Sequence, residues 1–88
     1  MINSVVLAGK LVHVCDSCDT DTLAVVEVNN EQYYVLFNNS SLPEPEKIKN
    51  KYVCIYGNLK NFKYKKWKKD DYTILTGIFV RRLEVYDI

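Results

Sequence analysis

Two long runs of strand-forming residues each carry a glycine near the middle: SVVLAGKLVHV at residues 4–14 and YTILTGIFVRRLEVY at residues 72–86. Glycine inside a strand marks a bend or a bulge, and bends let one long strand serve both sides of a small barrel. The chain has 88 residues, enough for one small domain with a modest core.

Three further segments complete the pattern. Residues 22–28, TLAVVEV, and 32–37, QYYVLF, read as a hairpin closed by Asn29-Asn30, because asparagine tolerates the positive φ of a tight turn. Residues 52–65 alternate with period two. Val53, Ile55, Gly57 and Leu59 share a face suited to a core, and Tyr52, Cys54, Tyr56, Asn58, Lys60, Phe62 and Tyr64 share an outer one. Ahead of this strand, Ser41-Leu42-Pro43-Glu44 has the form of a capping box. Pro43 and Pro45 suit a first helical turn, and Glu44 and Glu46 precede Lys47 and Lys49 as the helix dipole favours. One short helix is expected within residues 38–50.

The order β-β-β-α-β-β predicts an all-β fold forming a single domain over residues 1–88. It is a five-stranded OB-fold barrel with one short helix between strands three and four. An SH3-like barrel competes, but it normally lacks so long a final hairpin and a helix at that position.

Net charge is only +1, yet it is unevenly spread. Residues 1–50 hold three lysines against seven acidic residues, and residues 51–88 hold nine basic residues against four acidic. Six lysines and three aromatics fall in NLKNFKYKKWKK, Asn58 to Lys69. Such a local patch governs what approaches a protein. Its lysines can track a phosphate backbone, and its rings can stack on unpaired bases, at roughly 1–3 kcal/mol each. Stacking needs exposed base faces, so single strands are favoured over duplex. Alternation places Phe62 and Tyr64 with Lys60 and Lys66 on one side, and Lys63, Lys65 and Trp67 on the other. A lysine-rich hairpin also serves simply to guard a sheet edge; three aromatics among the lysines of an exposed tip favour binding. The nucleic-acid candidates are therefore Tyr56, Lys60, Phe62, Lys63, Tyr64, Lys65, Lys66, Trp67, Lys68 and Lys69. Arg81 and Arg82 are adjacent, so one of them faces out in either register.

The same residues carry a family likeness. MINSVVLAGKL resembles the opening of bacterial single-stranded DNA-binding proteins, commonly MINxVxLxGxL. Tyr34-Val35-Leu36-Phe37 resembles that family's third-strand apolar run, which ends in an aromatic. Val53-Cys54-Ile55-Tyr56-Gly57-Asn58-Leu59-Lys60 resembles its fourth strand, and Leu83-Glu84-Val85-Tyr86-Asp87 its closing V-E-F-L-D. The resemblance implies stacking aromatics at Phe37 and Tyr64, with Tyr33 and Val35 sharing Phe37's outer face. It also implies oligomers formed through the first strand, here a homodimer using Val6 and Ala8.

Three departures accompany the likeness. The second-to-third hairpin is cut to a tight Asn-Asn turn, where family members usually extend it to hold DNA, so a smaller site is expected. The chain stops at Ile88 without the family's acidic tail that recruits other replication proteins. In size it resembles the primosomal single-strand-binding accessory proteins, or a plasmid, phage or mobile-element version. The first-to-second connection carries CDSC in place of the usual basic and aromatic mix.

The remaining residues offer less chemistry. His13, Cys15, Cys18 and Cys54 lack the second half of a zinc site, and Cys54 is expected to face outward on a distant strand. A redox CxxC normally opens a helix in a βαβ unit. An odd total of three cysteines fits reduced thiols in a cytosolic protein. Asp16, Asp19 and Asp21 fall short of a calcium loop. No metal or cofactor is expected, and no paired acids, nucleophile or metal set of an enzyme is legible. No apolar run approaches the roughly 20 residues of a membrane span. MINSVVLAGK has neither the basic region nor the cleavage site of a signal peptide, so the expected address is the cytoplasm. The expected function is non-enzymatic, sequence-tolerant binding of single-stranded DNA in replication, recombination or repair, alongside replication proteins. The alternatives are an OB-fold interaction module docking on a polymerase, helicase or primase, and an RNA-binding OB domain.

Overall fold

The computed structural model describes residues 3–17, 21–38, 43–65 and 72–86. Five strands carry the chain: β1 Ser4–Ser17, β2 Asp21–Val28, β3 Glu31–Asn38, β4 Tyr52–Lys65 and β5 Tyr72–Tyr86. They close into a barrel in the order β1-β2-β3-β5-β4, with β4 pairing back onto β1. The chain is all-β, and this closed five-stranded arrangement is an OB-like barrel.

Closure depends on β1 changing partners along its length. Ser4 to Lys10 pair with β4, and Lys10 to Ser17 pair with β2. The change falls at Gly9 and Lys10. A Cβ on Gly9 would lie 2.4 Å from the Glu27 carbonyl oxygen and 2.6 Å from Val28 Cγ2, so only glycine admits β2 this closely. Beyond it, Val12 and Cys15 are bulged out of the β1–β2 ladder, which coils the strand further round the barrel.

Asn29 and Asn30 turn β2 into β3 with φ of 51° and 67°, the left-handed pair that a type I′ hairpin needs. β3 then runs parallel to β5 through Val35 opposite Ile78 and Leu36 opposite Phe79. β5 pairs antiparallel with β4 from Tyr52–Tyr86 out to Lys65–Tyr72.

Alternation fills the interior. Leu11, Ala24, Val26, Val35, Phe37, Val53, Ile55, Ile78 and Val80 meet there, with Ile48 added from the β3–β4 connection. The family resemblance puts Phe37 on the outer face as a stacking aromatic, but it has 0 % exposure and is a core residue. Val35, on the same face, is also fully buried. Parallel pairing with β5 turns this face of β3 inward, and Tyr33 emerges from it only because it lies nearer the hairpin end.

The β3–β4 connection corrects a second expectation. In place of the expected short helix it holds one 3-10 turn, Pro45–Ile48. Glu44 makes no side-chain cap, and Ser41 and Leu42 lie outside the described residues. The backbone is extended again at Lys49 and left-handed at Asn50, leaving too few helical residues for an α-helical bond. The Asn50 amide donates to the Leu11 carbonyl at 2.6 Å, tying the turn to β1.

Candidate nucleic-acid interface

Pairing between β1 and β4 ends at Asn58, and pairing between β3 and β5 begins at Ile78. Between those limits and Lys65–Tyr72, β4 and β5 pair only with each other and form a two-stranded ribbon beyond the barrel. Alternation assigns Leu59 to the core, yet it is 49 % exposed because it stands at the root of this ribbon.

One side of the ribbon carries Lys60 and Phe62 from β4 and Leu75, Gly77 and Phe79 from β5. Gly77 leaves a notch there. A Cβ at Gly77 would lie 3.0 Å from Phe62 Cε1 and 2.7 Å from the Tyr34 carbonyl oxygen. Phe62 thus lays the edge of its ring over the glycine, the usual way an aromatic covers a bare position on a sheet. Lys60 holds its Nζ 5.3 Å from the centre of the Phe79 ring. At an exposed site such a cation–π contact is worth roughly 0.5–1 kcal/mol, weak enough to yield to an arriving phosphate.

The same surface continues across the barrel. Beside Gly77 and Phe79 stand Tyr34 and Leu36 of β3, and beside those Val25 and Leu23 of β2. These are outward positions, yet all are apolar or aromatic. Leu23 and Val25 are nearly covered, and Tyr34 is 40 % exposed. Between Val25, Gln32, Tyr33 and Tyr34 opens a shallow cleft of about 200 Å³. At its side the Tyr33 hydroxyl donates to Glu31 Oε2 at 2.7 Å. That bond, with the carboxylate's charge, raises the Tyr33 pKa above the ordinary tyrosine value.

The root of the ribbon is clasped. Asn3 Nδ2 donates to the Leu59 carbonyl at 3.2 Å, and the Leu59 amide donates to the Asn3 carbonyl at 3.3 Å. Asn58 Nδ2 donates to Asn3 Oδ1 at 2.8 Å, and Arg81 Nε donates to Asn58 Oδ1. Arg81 is the unmatched residue of a bulge between Tyr56–Arg82 and Gly57–Val80. The bulge shifts the phase, so both arginines face outward rather than one.

Arg82 lies over the Tyr56 ring at 4.1 Å and reaches Glu84 Oε1 at 3.4 Å. Tyr56 is therefore already stacked. It belongs with Val6 and Arg82, its cross-strand neighbours, rather than with the Tyr34–Phe62 row. Further along the same face Cys54 points outward as expected. It is nevertheless nearly covered, in a row with Ala8 and Glu84. The Tyr86 hydroxyl donates to Glu84 Oε2 at 2.8 Å, which raises its pKa above the usual value.

The structure thus brings Lys60 and Phe62 together with Tyr34 and Phe79, two aromatics that strand alternation alone does not single out. Lys63 is paired with Ile74 on the ribbon's other side. The backbone of Tyr64 and Lys65 is in the ladder, but their side chains, and all of Lys66, Trp67, Lys68 and Lys69, lie outside the described residues. Among the described residues, no group of three or more His, Cys, Asp or Glu side chains is placed to hold a metal ion. Among them, no helix is long and apolar enough to cross a membrane. Compared with known proteins, the chain matches no family model and no curated protein.

Proposed function

We propose that this barrel is a non-enzymatic, cytoplasmic protein that binds single-stranded DNA in replication, recombination or repair, broadly tolerant of sequence. The observation that carries the reading is the outward row Tyr34, Phe62 and Phe79 beside Lys60. Outward strand positions on a small barrel are normally polar; Phe62 covers Gly77, but Tyr34 and Phe79 beside it make the row a larger aromatic surface than that cover needs. Bases stack on the rings. Phosphates draw Lys60 off Phe79 and engage the lysines of residues 60–69, so that the ring opens as the charge arrives. The likeness of MINSVVLAGKL and the fourth strand to bacterial single-stranded DNA-binding proteins supports the same reading.

The test is a titration with oligo(dT), read by anisotropy of a labelled strand and by fluorescence of Trp67, the sole tryptophan. Tight binding at low salt that weakens steeply with added salt is expected; no binding at low salt overturns the proposal. Competition between matched DNA and RNA oligonucleotides decides the nucleic acid.

A second reading, an interaction module for a replication enzyme, is favoured by the ribbon's other side, where Leu59 is 49 % and Ile74 67 % exposed. Weak intrinsic DNA binding, together with a partner lost on replacing Ile74 by Lys, would favour it over the first.

A further inference from the structure

We infer that Arg81, oriented by its bond to Asn58, is a phosphate anchor for the bound strand and carries the binding path from the ribbon onto the barrel wall. The inference rests on the single-strand reading above.

Two arginines leave the β5 bulge side by side, and their surroundings differ. Arg82 lies over the Tyr56 ring at 4.1 Å and reaches Glu84 Oε1 at 3.4 Å, so a carboxylate already answers its charge. Arg81 is exposed, and among the described residues no carboxylate is paired with it. A neutral group holds it instead: its Nε donates to Asn58 Oδ1.

That hold is itself oriented. An arginine offers donors only, so Asn58 must turn its oxygen toward Arg81 and its nitrogen toward Asn3. Asn58 Nδ2 donates to Asn3 Oδ1 at 2.8 Å, and Asn3 Nδ2 donates to the Leu59 carbonyl at 3.2 Å. Each amide is used at both ends, and the relay finishes on the backbone at the root of the ribbon. Gripping the guanidinium by Nε leaves the donors of both Nη groups, whose planar fork suits two oxygens of one phosphate. A side chain fixed in advance also loses less freedom when the ligand arrives.

The position fits a strand lying on the aromatic row. Phe79 is paired with Asn58, and Lys60 with Gly77. Along the outer face Lys60 therefore stands on the ribbon side of Phe79, and Arg81 on the barrel side. A nucleotide stacked on Phe79 has a phosphate on each side of its sugar, and each phosphate meets one of the two cations. The bulge makes this possible, because it leaves Arg81 unmatched and outward between Arg82 and the buried Val80.

The experiment measures oligo(dT) binding by anisotropy across a salt series for the intact chain and for Arg81→Ala, Arg82→Ala and Arg81→Lys. The two alanine variants lose the same formal charge, so a general field effect would move them alike. Arg81→Ala is expected to weaken binding at low salt about tenfold and to make the slope of log K against log salt shallower by about 0.7 to 1. Arg82→Ala should bind within about twofold of the intact chain with the slope unchanged, because its charge is already paired. Arg81→Lys keeps the charge without the fork and should restore the slope. Urea midpoints on each variant confirm that the barrel is intact. Equal slope changes in the two alanine variants, an unchanged slope in Arg81→Ala, or a slope that Arg81→Lys does not restore overturns the inference and leaves the single-strand reading standing. Failure of the intact chain to bind removes that reading, and the anchor with it.

Discussion

At the scale of single residues, the proposed function divides two phenylalanines between folding and binding. Phe37 fills the barrel and Phe62 rests on Gly77 outside it. Phe37→Ala should lower stability by about 3–5 kcal/mol, the cost of emptying a core position of that size. Phe62→Ala should stay within about 1 kcal/mol of the parent, yet weaken binding of single strands by about 1–3 kcal/mol. Urea unfolding and an oligo(dT) titration on both variants separate the two effects. The tyrosines add a pH signature. Tyr33 and Tyr86 donate to carboxylates, which lifts their folded pKa values above the ordinary tyrosine value of 10.0. A raised pKa contributes stability that is fully present below the unfolded value and lost as pH climbs through the folded one. Urea midpoints should therefore fall above pH 10, and fall less steeply in Glu31→Gln and Glu84→Gln variants. What the sequence left illegible at this scale was a matter of phase. Alternation correctly paired Phe37 with Val35, but which of two faces looks inward on β3 is set by its parallel neighbour β5, far along the chain at Ile78. Tyr34 and Phe79 stayed hidden for the same reason.

At the scale of elements, the β4–β5 ribbon is the part whose chemistry can be tuned without disturbing the core. On the proposed reading its lysines act on phosphates, so each is expected to contribute to the salt dependence of binding rather than to base choice. Lys60→Ala should make the slope of log K against log salt shallower by about 1. Replacing Phe62 should weaken binding at every salt concentration and leave the slope unchanged. Binding isotherms across a series of salt concentrations check both; an unchanged slope in the Lys60 variant would deny that residue a phosphate. The strands themselves were largely legible. Residues 52–65 and 72–86 are paired as read, and the Asn29–Asn30 turn has the left-handed geometry its residues suggested. β1 runs on to Ser17, past the expected end at Val14, because bulges at Val12 and Cys15 break the simple alternation that marks a strand. The helix shrank to Pro45–Ile48 because two prolines and a left-handed Asn50 leave no room for α-helical bonding. The bulge at Arg81 left no mark in the sequence at all, since either arginine alone would have satisfied a regular strand.

At the scale of the whole molecule, the barrel closes through one strand shared by two neighbours, and that leaves an unfinished edge. From Ser4 to Gly9, β1 pairs with β4 alone among the described strands, and Val6 on this stretch is 62 % exposed. We propose self-association there, along the first half of β1 with Val6 and Ala8 facing a second copy, as an apolar edge of this kind invites. Val6→Lys should shift sedimentation toward the single chain and leave the stability of that chain within about 0.5 kcal/mol of the parent. A single chain in both proteins would remove the proposal. Closure was foreseeable from two glycine-centred strands, but the edge was not, because it depends on where β1 exchanges one partner for the other. The ribbon has a consequence of another kind. Beyond the clasped root, the described parts of its two strands pair only with each other, so the ribbon can be trimmed or extended in steps of two residues per strand, each step preserving which side chains share a face. Under the proposed function, the length of nucleic acid covered by one molecule then becomes a dial that evolution or a protein engineer can turn while the folding unit stays fixed.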